Sequence, residues 1–317
     1  MSKKIAFIFP GQGSQYIGMG KDLKESIKEL ADIFRQADEV LKRKISSICF
    51  EGPESELGKT INTQPAIFAV NHVCYVALKL NGIEPDIVAG HSLGEYNALV
   101  AADVIDFKTG LRLVEKRAQF MEKAASKRPG KMAAVIGLDS KIVEKIIEPL
   151  KKRGIINIAN YNCPGQLVVS GENLLIKEAS YLLKQSGAKR VIELSVSGGF
   201  HSKLMDEAEI EFSEVLNGVS FSKPGRGIVS NYTAESSTNP LELKEALKCQ
   251  ITGSVRWEQL IKKIQTFGVN KFIEVGPKKV LTGLVRRIAP EAILFNIEDV
   301  DSLKATVSKI REVKSDV

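Results

Sequence analysis

Five consecutive residues, Gly90-His91-Ser92-Leu93-Gly94, fit the pattern Gly-x-Ser-x-Gly, which places a serine on a tight turn between a strand and a helix. Residues 86–89 before them form a short, mainly apolar run typical of a buried strand, and residues 95–102 after them carry a helical pattern. The glycines permit backbone conformations that a Cβ atom forbids, and the helix N-terminus directs free N–H groups toward whatever Ser92 attacks. The pattern also occurs by chance in glycine-containing loops. Its flanking elements favour an acyl-transfer site with Ser92 as the nucleophile.

A nucleophilic serine needs a base, and the chain contains three histidines, at positions 72, 91 and 201. His91 directly precedes Ser92 in the turn, so its side chain is expected to point away from the serine hydroxyl. His72 lies in the middle of a predicted helix, where a packed, structural histidine is typical. His201 follows a flexible Ser-Gly-Gly-Phe turn and lies downstream of the serine, as in enzymes of the α/β-hydrolase type. We therefore predict His201 as the base, against the alternative of a histidine near a helix N-terminus with no role.

An oxyanion needs N–H donors, and the backbone N–H of Leu93, directly after the nucleophile, is the expected first donor. The second is expected from the loop Gly11-Gln12-Gly13-Ser14-Gln15, which follows the first predicted strand at the sheet edge where ligands bind. Dinucleotide binding is the competing interpretation of this loop. It is disfavoured because Tyr16 stands where the third glycine of that motif belongs, and no Walker-type motif is present. No acid after Ser92 stands in a pattern that marks it as the third member of a triad.

Arg117 lies on the apolar row of a helix predicted over residues 107–125, together with Gly110, Leu113, Val114, Ala118 and Met121. An arginine on that side must find an anion or leave its charge poorly solvated. Its planar guanidinium suits a carboxylate bound by two parallel hydrogen bonds. A structural ion pair with a protein acid, or a side chain that reaches solvent, is an equally good explanation at this point.

Strand and helix patterns alternate along the chain, which predicts an α/β fold with a mainly parallel sheet. Residues 5–9 form an uninterrupted apolar run that ends at Pro10-Gly11, as expected of a strand buried on both faces. A helix is predicted over residues 66–80, and a strand over 271–275.

The pattern changes to shorter elements between about residues 130 and 197. Strands are predicted at 132–137, 155–161, 166–170 and 190–194, and helices at 140–151 and 174–185. This βαββαβ order is that of the ferredoxin-like split unit. We therefore expect a ferredoxin-like small subdomain, residues 129–198, inserted into a larger α/β subdomain of residues 1–128 and 199–317.

The composition is that of an ordinary globular protein, with 44% hydrophobic and 26% charged residues. The formal net charge of +7 favours acidic partners. Lysines and arginines are scattered among acids with no basic block interleaved with aromatic residues, so we expect no nucleic-acid partner. An acidic protein or a phosphate-bearing cofactor explains the charge equally well.

The four cysteines, at positions 49, 74, 163 and 249, are far apart and lack metal-ligand spacing, so they are expected to be reduced, buried and structural, with no metal site. No stretch is long and apolar enough for a membrane helix. Residues 1–4 lead directly into the first predicted strand, which leaves no room for a signal peptide. A cytoplasmic or organelle-matrix location is expected, without a membrane partner.

Over nearly its whole length the chain resembles the malonyl-CoA:acyl carrier protein transacylases, acyltransferases of fatty acid and polyketide synthesis. The resemblance rests on a series of motifs in family order: Phe9-Pro-Gly-Gln-Gly-Ser-Gln15, Gly90-His-Ser-Leu-Gly-Glu95, Arg117, Asn162-Cys-Pro-Gly-Gln166, Val168-Val-Ser-Gly171, Phe200-His-Ser202, Gln250, Val255-Arg-Trp257 and Glu274-Val-Gly-Pro277. It implies a hydrolase-like large subdomain with a ferredoxin-like small one.

The resemblance also implies roles for individual residues. Ser92 would be the nucleophile, His201 its base, and Gln250 would orient His201 through a carbonyl in place of a triad acid. The oxyanion donors would be the N–H groups of Gln12 and Leu93. Arg117 would bind the free carboxylate of a malonyl group, which would pass from CoA to Ser92 and then to the phosphopantetheine thiol of acyl carrier protein.

Two positions depart from the family pattern. Ala118 follows the arginine where glycine is common, and Glu122 stands where glutamine is frequent, so that a carboxylate one turn beyond Arg117 could compete for it. Phe200 before the histidine occurs among malonyl-using members and is a weak signal of specificity. The exposed-looking basic residues Lys278, Lys279, Arg286 and Arg287 are candidate contacts for the carrier, or a solvated basic face.

We expect a monomer that needs no metal or prosthetic group. Two other functions remain open from the sequence. The first is a serine esterase or thioesterase on the same scaffold, with water as the acceptor. The second is a non-catalytic protein that binds a carrier, which an intact Ser92 and His201 disfavour.

Overall fold

The computed structural model describes residues 4–315 of the 317-residue chain. Its strands are β1 Ile5–Phe9, β2 Ile87–Gly90, β3 Gly130–Ile136, β4 Ile156–Cys163, β5 Gln166–Glu172, β6 Arg190–Glu193, β7 Gly227–Ile228, β8 Lys271–Val275 and β9 Ile293–Ile297. Its α-helices are α1 Lys21–Ser26, α2 Lys28–Leu41, α3 Ile45–Glu51, α4 Glu54–Leu57, α5 Thr60–Leu80, α6 Gly94–Ala101, α7 Phe107–Lys127, α8 Ser140–Lys151, α9 Asn173–Gln185, α10 Asp206–Asn217, α11 Pro240–Cys249, α12 Trp257–Thr266, α13 Val280–Ile288 and α14 Val300–Ser315. A short 3-10 turn, Lys203–Met205, precedes α10.

The larger sheet is parallel throughout, in the strand order β7-β2-β1-β8-β9. Alternate residues of β1 enter two different cores. Phe7 and Phe9 pack among side chains of α5 and α7, whereas Ala6 and Ile8 pack on the opposite face with side chains of α12 and α13. A strand covered on both faces must be apolar at every position, which is why residues 5–9 form an uninterrupted apolar run.

The smaller sheet is antiparallel, in the order β4-β5-β3-β6. Helices α8 and α9 pack against it around a core of their own. This sequence and strand order confirm the ferredoxin-like βαββαβ unit beside a parallel α/β sheet. Because the sheet uses residues from Gly130 to Glu193, it lies inside the predicted segment 129–198; the subdomain boundaries themselves stay a prediction.

The smaller sheet is hydrogen-bonded to the chain segment that leads into α12. Tyr161 N donates to Val255 O at 2.9 Å, and Val255 N donates to Ala159 O at 2.8 Å. Strand β4 is thereby fixed against the large subdomain, close to the segment that carries position 250. The contact brings side chains of the small subdomain to the edge where β1 and β2 end.

Helix α5 begins six residues earlier than the predicted start at 66, in spite of Pro65 within it. Proline has no N–H, so it leaves the carbonyl of residue 61 without its helical partner. Arg43 supplies the missing donor, since its Nη2 donates to Ile61 O at 2.8 Å. A long-range contact of this kind leaves no local signal in the sequence.

The structure tests the expectations for the cysteines and for membrane-spanning helices, but not the one for the N-terminus. All four cysteines are free, and Cys49, Cys74 and Cys163 are buried; Cys249 is partly exposed, so the expectation that all four are buried is wrong there. Among residues 4–315 no helix combines the length and apolarity needed to cross a membrane. Residues 1–3, part of the segment used against a signal peptide, lie outside the described residues.

Candidate active site

Ser92 lies at the tip of the turn between β2 and α6, with a backbone φ of 50°. This left-handed conformation is costly for a residue with a Cβ atom, by roughly 1–2 kcal/mol. The glycines contribute space instead of positive φ angles. A Cβ atom on Gly90 would lie 1.9 Å from the carbonyl carbon of Gly94, and one on Gly94 would lie 2.0 Å from Phe9 O. The turn is therefore pressed against the end of β1, and the strained conformation falls on the serine itself.

Ser92 and His201 are in direct contact. The hydroxyl oxygen of Ser92 lies 2.8 Å from Nε2 of His201. Nδ1 of the ring faces two carbonyl oxygens, those of Gln250 at 2.8 Å and Gly253 at 3.2 Å. Because both are acceptors, Nδ1 carries the proton and Nε2 is free to accept the proton of Ser92. Burial, and secondly the Arg117 guanidinium, lower the pKa of His201 to about 3, which keeps the ring neutral at pH 7.

His201 is held by both subdomains. It has a left-handed φ of 56°, the second such residue at this site. Asn157 of β4 donates its side-chain N–H to the carbonyl oxygen of His201 at 2.8 Å. The small subdomain therefore fixes the backbone of the base, and the segment after α11 fixes its ring.

The other two histidines are placed as expected from the sequence. His91 turns its ring away from Ser92, stacks edge-on against Trp257, and lies with Nε2 2.9 Å from Oδ1 of Asn162. His72 stacks on Phe107 with ring centroids 4.3 Å apart. Burial lowers the pKa of both histidines. Neither contacts the serine, which leaves His201 as its partner.

Arg117 is buried, with 1% of its surface exposed, and its guanidinium points at the nucleophile. Nη2 donates to Ser92 Oγ at 3.0 Å, and Nη1 donates to Oε1 of Gln64 at 2.8 Å. Across residues 4–315 no carboxylate lies within 4 Å of this guanidinium, and its Nε–H has no hydrogen-bond partner. Neither of the two structural explanations, an ion pair or a side chain in solvent, agrees with this arrangement. The guanidinium is a buried cation without an anion.

Gln250 contributes a backbone group and a side chain to the same site. Its main-chain carbonyl orients His201, whereas its side-chain Oε1 accepts from Arg117 Nη2 at 3.0 Å. Its Nε2 donates to Ser92 O at 2.9 Å and to Glu95 Oε2 at 2.6 Å. Burial is the main reason that the pKa of Glu95 rises to about 7. One glutamine thus touches His201, Ser92 and Arg117.

A cavity of about 100 Å³ opens at the serine. It is lined by Gln12, Gln64, His91, Ser92, Leu93, Arg117, Met121, Met132, Asn160, Leu194, Val196, Phe200 and His201. Both predicted oxyanion residues, Gln12 and Leu93, are among them. No hydrogen bond between described residues uses the backbone N–H of either one. Gln12 and Leu93 therefore line one cavity together with Ser92, as expected of two oxyanion donors.

The acyl transferase domain family matches this chain over residues 6–310. The chain belongs to the acyl transferase family. Malonyl CoA-acyl carrier protein transacylase of Bacillus subtilis is 42% identical over 310 residues, which cover 98% of this chain and 98% of that protein. A second B. subtilis relative, the polyketide biosynthesis malonyl CoA-acyl carrier protein transacylase PksC, is 43% identical over 290 residues, covering 91% of this chain and 98% of the relative.

Solved structures of malonyl transacylases also superpose closely on this chain. Malonyl CoA-acyl carrier protein transacylase from Clostridium perfringens superposes with a TM-score of 0.94 at 38% identity, covering 98% of both chains. A malonyl-transacylase solved in complex with its type II PKS acyl-carrier protein gives a TM-score of 0.94 at 36% identity, covering 96% of this chain and 99% of that one. The resemblance to malonyl-CoA:acyl carrier protein transacylases is confirmed.

Of the two departures from the family pattern, the one at position 122 has a clear structural outcome. Glu122 accepts a hydrogen bond from Ser197 Oγ at 2.9 Å and makes no contact with Arg117. The expected competition for the cation is therefore wrong, because the carboxylate turns toward the loop that returns from the small subdomain. Ala118 is fully buried on the same row as Arg117.

The four candidate carrier contacts lie in or beside α13, and all are exposed. In the part of the chain that the structure describes, none of them forms an ion pair. Arg287 donates to Pro164 O at 2.6 Å and to Gln166 Oε1 at 2.9 Å, so it joins α13 to the small subdomain. Lys278 Nζ donates to Gly13 O at 3.4 Å and its backbone N–H donates to Glu298 Oε2 at 2.8 Å, whereas Lys279 and Arg286 form no ion pair among residues 4–315.

Gln64 and Glu95 are among the site residues that the sequence analysis missed. Gln64 of α5 binds Arg117, and Glu95 of α6 binds Gln250. Both side chains are buried, with 1% and 2% of their surfaces exposed. Polar residues among apolar neighbours on a buried helix were the available signal. No metal-binding cluster of histidine, cysteine, aspartate and glutamate is present among residues 4–315.

Proposed function

We propose that this acyltransferase moves a malonyl group from malonyl-CoA to the phosphopantetheine thiol of acyl carrier protein, through an ester on Ser92, and so supplies fatty acid synthesis. One observation carries the proposal. The hydroxyl oxygen of Ser92 lies between Nε2 of His201, at 2.8 Å, and Nη2 of the unpaired Arg117, at 3.0 Å. The nucleophile is therefore in contact with both a neutral base and a cation.

The first half of the exchange acylates the serine. Ser92 Oγ attacks the thioester carbonyl carbon while its proton passes to His201 Nε2. The N–H groups of Gln12 and Leu93 stabilise the negative oxygen of the tetrahedral intermediate. The carbon–sulfur bond then breaks, and His201 returns the proton to the leaving CoA thiol.

The second half reverses these steps with a different thiol. His201 takes the proton of the phosphopantetheine thiol, whose sulfur attacks the ester carbonyl of malonyl-Ser92. The carbon–oxygen bond breaks, and the proton returns to Ser92 Oγ. No electron transfer or further reactant enters either half, so the proposed exchange needs no metal or prosthetic group.

Arg117 sets the class of acyl group. A buried guanidinium without an anion is poorly solvated, and a carboxylate bound to it would recover the lost solvation through charge-assisted hydrogen bonds. The unpartnered Nε–H of Arg117 is one donor available for that purpose. A malonyl group carries such a carboxylate, whereas an acetyl group does not.

The carrier protein is the proposed second substrate, and the solved complex of a related malonyl-transacylase with its acyl-carrier protein supports it. The exposed side chains of Lys278, Lys279 and Arg286, which form no ion pair among residues 4–315, would face the acidic carrier. The monomeric state and the cytoplasmic location stay predictions. Hydrolysis by an esterase or thioesterase is the alternative fate of the same ester.

Mass spectrometry of the intact protein tests the proposal directly. After incubation with malonyl-CoA, the unmodified protein should gain one malonyl group, and Ser92→Ala should gain none. Ser180→Ala is the matched control, since it removes a hydroxyl from helix α9 that donates a hydrogen bond to Ile176 O at 2.7 Å. Labelling of Ser92→Ala, or no labelling of the unmodified protein, would contradict the proposal. When carrier protein with its phosphopantetheine thiol is added, the malonyl group should move from Ser92 to the carrier. Release of free malonate instead would indicate that the protein is an esterase or thioesterase.

A further inference from the structure

Asn231 lies behind the nucleophile turn and is fully buried. Its side-chain Oδ1 accepts a hydrogen bond from the backbone N–H of Ser92 at 2.6 Å. Its Nδ2 donates to the carbonyl oxygen of Gly90 at 2.5 Å. A single amide therefore spans the turn, with one bond to its N-terminal side and one to the nucleophile.

The turn requires such a partner for its backbone. With φ at 50°, Ser92 has left the regular strand and has not entered α6, so its N–H lacks the partner that either element would supply. A buried N–H without a partner is costly, and a strained residue persists only where its surroundings determine it fully. Asn231 satisfies the N–H and the neighbouring carbonyl in one geometry.

The position of Asn231 is itself fixed by the sheet. The residue follows β7, whose pairing with β2 is continued by the bond from Val229 N to Val88 O at 3.2 Å. On its other side, Arg256 N donates to Asn231 O at 3.0 Å. Backbone bonds in two directions hold the amide in register with the turn, which a side chain on a free loop would not achieve.

Asn231 is also connected to the rest of the site through hydrogen bonds of Glu95. Its backbone N–H donates to Glu95 Oε1 at 3.2 Å, and Glu95 Oε2 accepts from Gln250 Nε2 at 2.6 Å. Gln250 in turn touches Ser92 O and Arg117. Asn231 is thus bonded to the nucleophile and, through one carboxylate, to the residue that contacts the base and the cation.

We propose that Asn231 is a positioning residue for acyl transfer, which holds Ser92 in the conformation that aims its hydroxyl at His201. The inference rests on the function proposed above. Asn231 does not line the cavity at Ser92, so it acts through the serine and not on the acyl group. Its loss should slow the acylation of Ser92 and leave the binding of malonyl-CoA nearly unchanged.

The isosteric variant Asn231→Asp provides the decisive measurement. A protonated aspartic acid reproduces both bonds, since one oxygen accepts from Ser92 N–H and the other donates its proton to Gly90 O. An ionised aspartate has no proton to donate, faces the Gly90 carbonyl, and lies near the Glu95 carboxylate. Glu95 is the ionisable side chain in hydrogen-bond contact with residue 231, and Arg117 follows beyond Gln250.

The experiment compares single-turnover acylation by saturating malonyl-CoA between about pH 5 and pH 8. The ratio of the Asn231→Asp rate to the wild-type rate should fall by about tenfold or more as pH rises, because the introduced carboxyl group ionises. Dividing by the wild-type rate removes ionisations that are identical in both proteins. Because Glu95 bonds directly to residue 231, the same comparison is also made in the Glu95→Gln background, where the fall of the ratio should remain. Asn231→Ala should lose about 10- to 100-fold at every pH, with its KM for malonyl-CoA changed less than about threefold.

Asn81→Ala is the matched control, because Asn81 donates one side-chain bond to Ala77 O at the end of α5 and does not line the Ser92 cavity. It should acylate at the wild-type rate. A pH-independent ratio for Asn231→Asp, or a wild-type acylation rate in folded Asn231→Ala, would overturn the inference. If Asn231→Ala does not fold, the pH dependence of Asn231→Asp decides. Failure of the wild-type protein to form malonyl-Ser92 would instead overturn the proposed function.

Discussion

Nδ1 of His201 lies 2.8 Å from the main-chain carbonyl oxygen of Gln250, so the group that orients the base belongs to the backbone. In a triad, a side-chain acid performs this task and can be removed by substitution. Here the side chain of residue 250 is free for other contacts, to Arg117, Ser92 and Glu95. The orientation of the base and the alignment of the cation are therefore separable by mutation.

Gln250→Ala should be much milder than His201→Ala. Removing the base should lower the acylation rate by about 10²- to 10⁴-fold. Removing the glutamine side chain keeps the carbonyl that orients His201 and deletes contacts to neighbouring groups, so a loss of about tenfold is expected. Rapid-quench measurement of acylation by malonyl-CoA compares the two, and equal losses would contradict the separation.

Arg117→Ala should change the choice of acyl group. The rate of malonyl transfer should fall roughly 10- to 100-fold, because the charge-assisted hydrogen bonds to the malonyl carboxylate are lost. The rate of acetyl transfer should change far less, because an acetyl group has no carboxylate. Arg112→Ala is the control, because Arg112 is an exposed arginine of the same helix. The ratio of kcat/KM for malonyl-CoA and acetyl-CoA is the quantity to compare. An unchanged ratio in Arg117→Ala would exclude the guanidinium as the binding group for the acyl carboxylate.

The ionisation of Glu95 should appear in the pH profile of acylation. Both Glu95 oxygens accept hydrogen bonds from N–H donors, so the ionised form supports the site and a protonated form weakens it. Because burial raises the pKa of Glu95 to about 7, the rate should rise with pH through that region. In Glu95→Gln this rise should be absent at whatever rate the variant retains, and its persistence would assign the ionisation to another group.

The ionisation of Glu95 should also change the stability of the protein, which we expect to fall as pH rises, whereas the acylation rate rises. Its pKa in the folded protein, about 7, lies above the ordinary value of 4.5, so between these values the folded chain binds more protons than the unfolded chain. The contribution of Glu95 to the free energy of unfolding is therefore complete below about pH 4.5. It decreases by about 3 kcal/mol as the pH rises to about 7. Urea unfolding of Glu95→Gln and wild type across this range measures the difference.

Reversing charge beside α13 should affect the second half-reaction alone. Lys279→Glu combined with Arg286→Glu should raise KM for acyl carrier protein about tenfold, because the exposed cations steer an acidic partner. Acylation by malonyl-CoA should keep its rate. Lys177→Glu with Lys184→Glu, on the exposed face of α9, changes net charge equally and serves as the control. Equal losses in both half-reactions would contradict this docking surface.

Much of the fold could be predicted from the sequence because its elements have strong local patterns. The strand at 5–9 and the strand at 271–275 have the bounds expected, and each is followed directly by glycine and proline; the first is an uninterrupted apolar run, whereas the second carries Lys271 and Glu274 among apolar residues. Strand β7 was not predicted, because two residues carry no periodicity. The early start of α5 depends on Arg43, which is distant along the chain.

The same distinction applies to the site. Ser92 and His201 could be found because a turn motif and the scarcity of histidines single them out, and Arg117 because its charge interrupts an apolar row. Gln64 and Asn231 act through contacts 53 and 139 positions away along the chain. An asparagine after a two-residue strand resembles any turn residue, so only the folded arrangement reveals what it holds.

Gly90 packs against the backbone of residues 94–95 and Gly94 against the end of β1, and this close packing limits how such an enzyme can evolve. A side chain at either position would clash with backbone atoms. We therefore expect substitutions at these glycines to prevent folding, so they cannot give rise to new activities. Met121 and Phe200 line the cavity from separate elements and meet no such restriction from the turn. Descendants of this protein would therefore diversify by altering the walls around an inherited serine, while the turn that presents it stays the same.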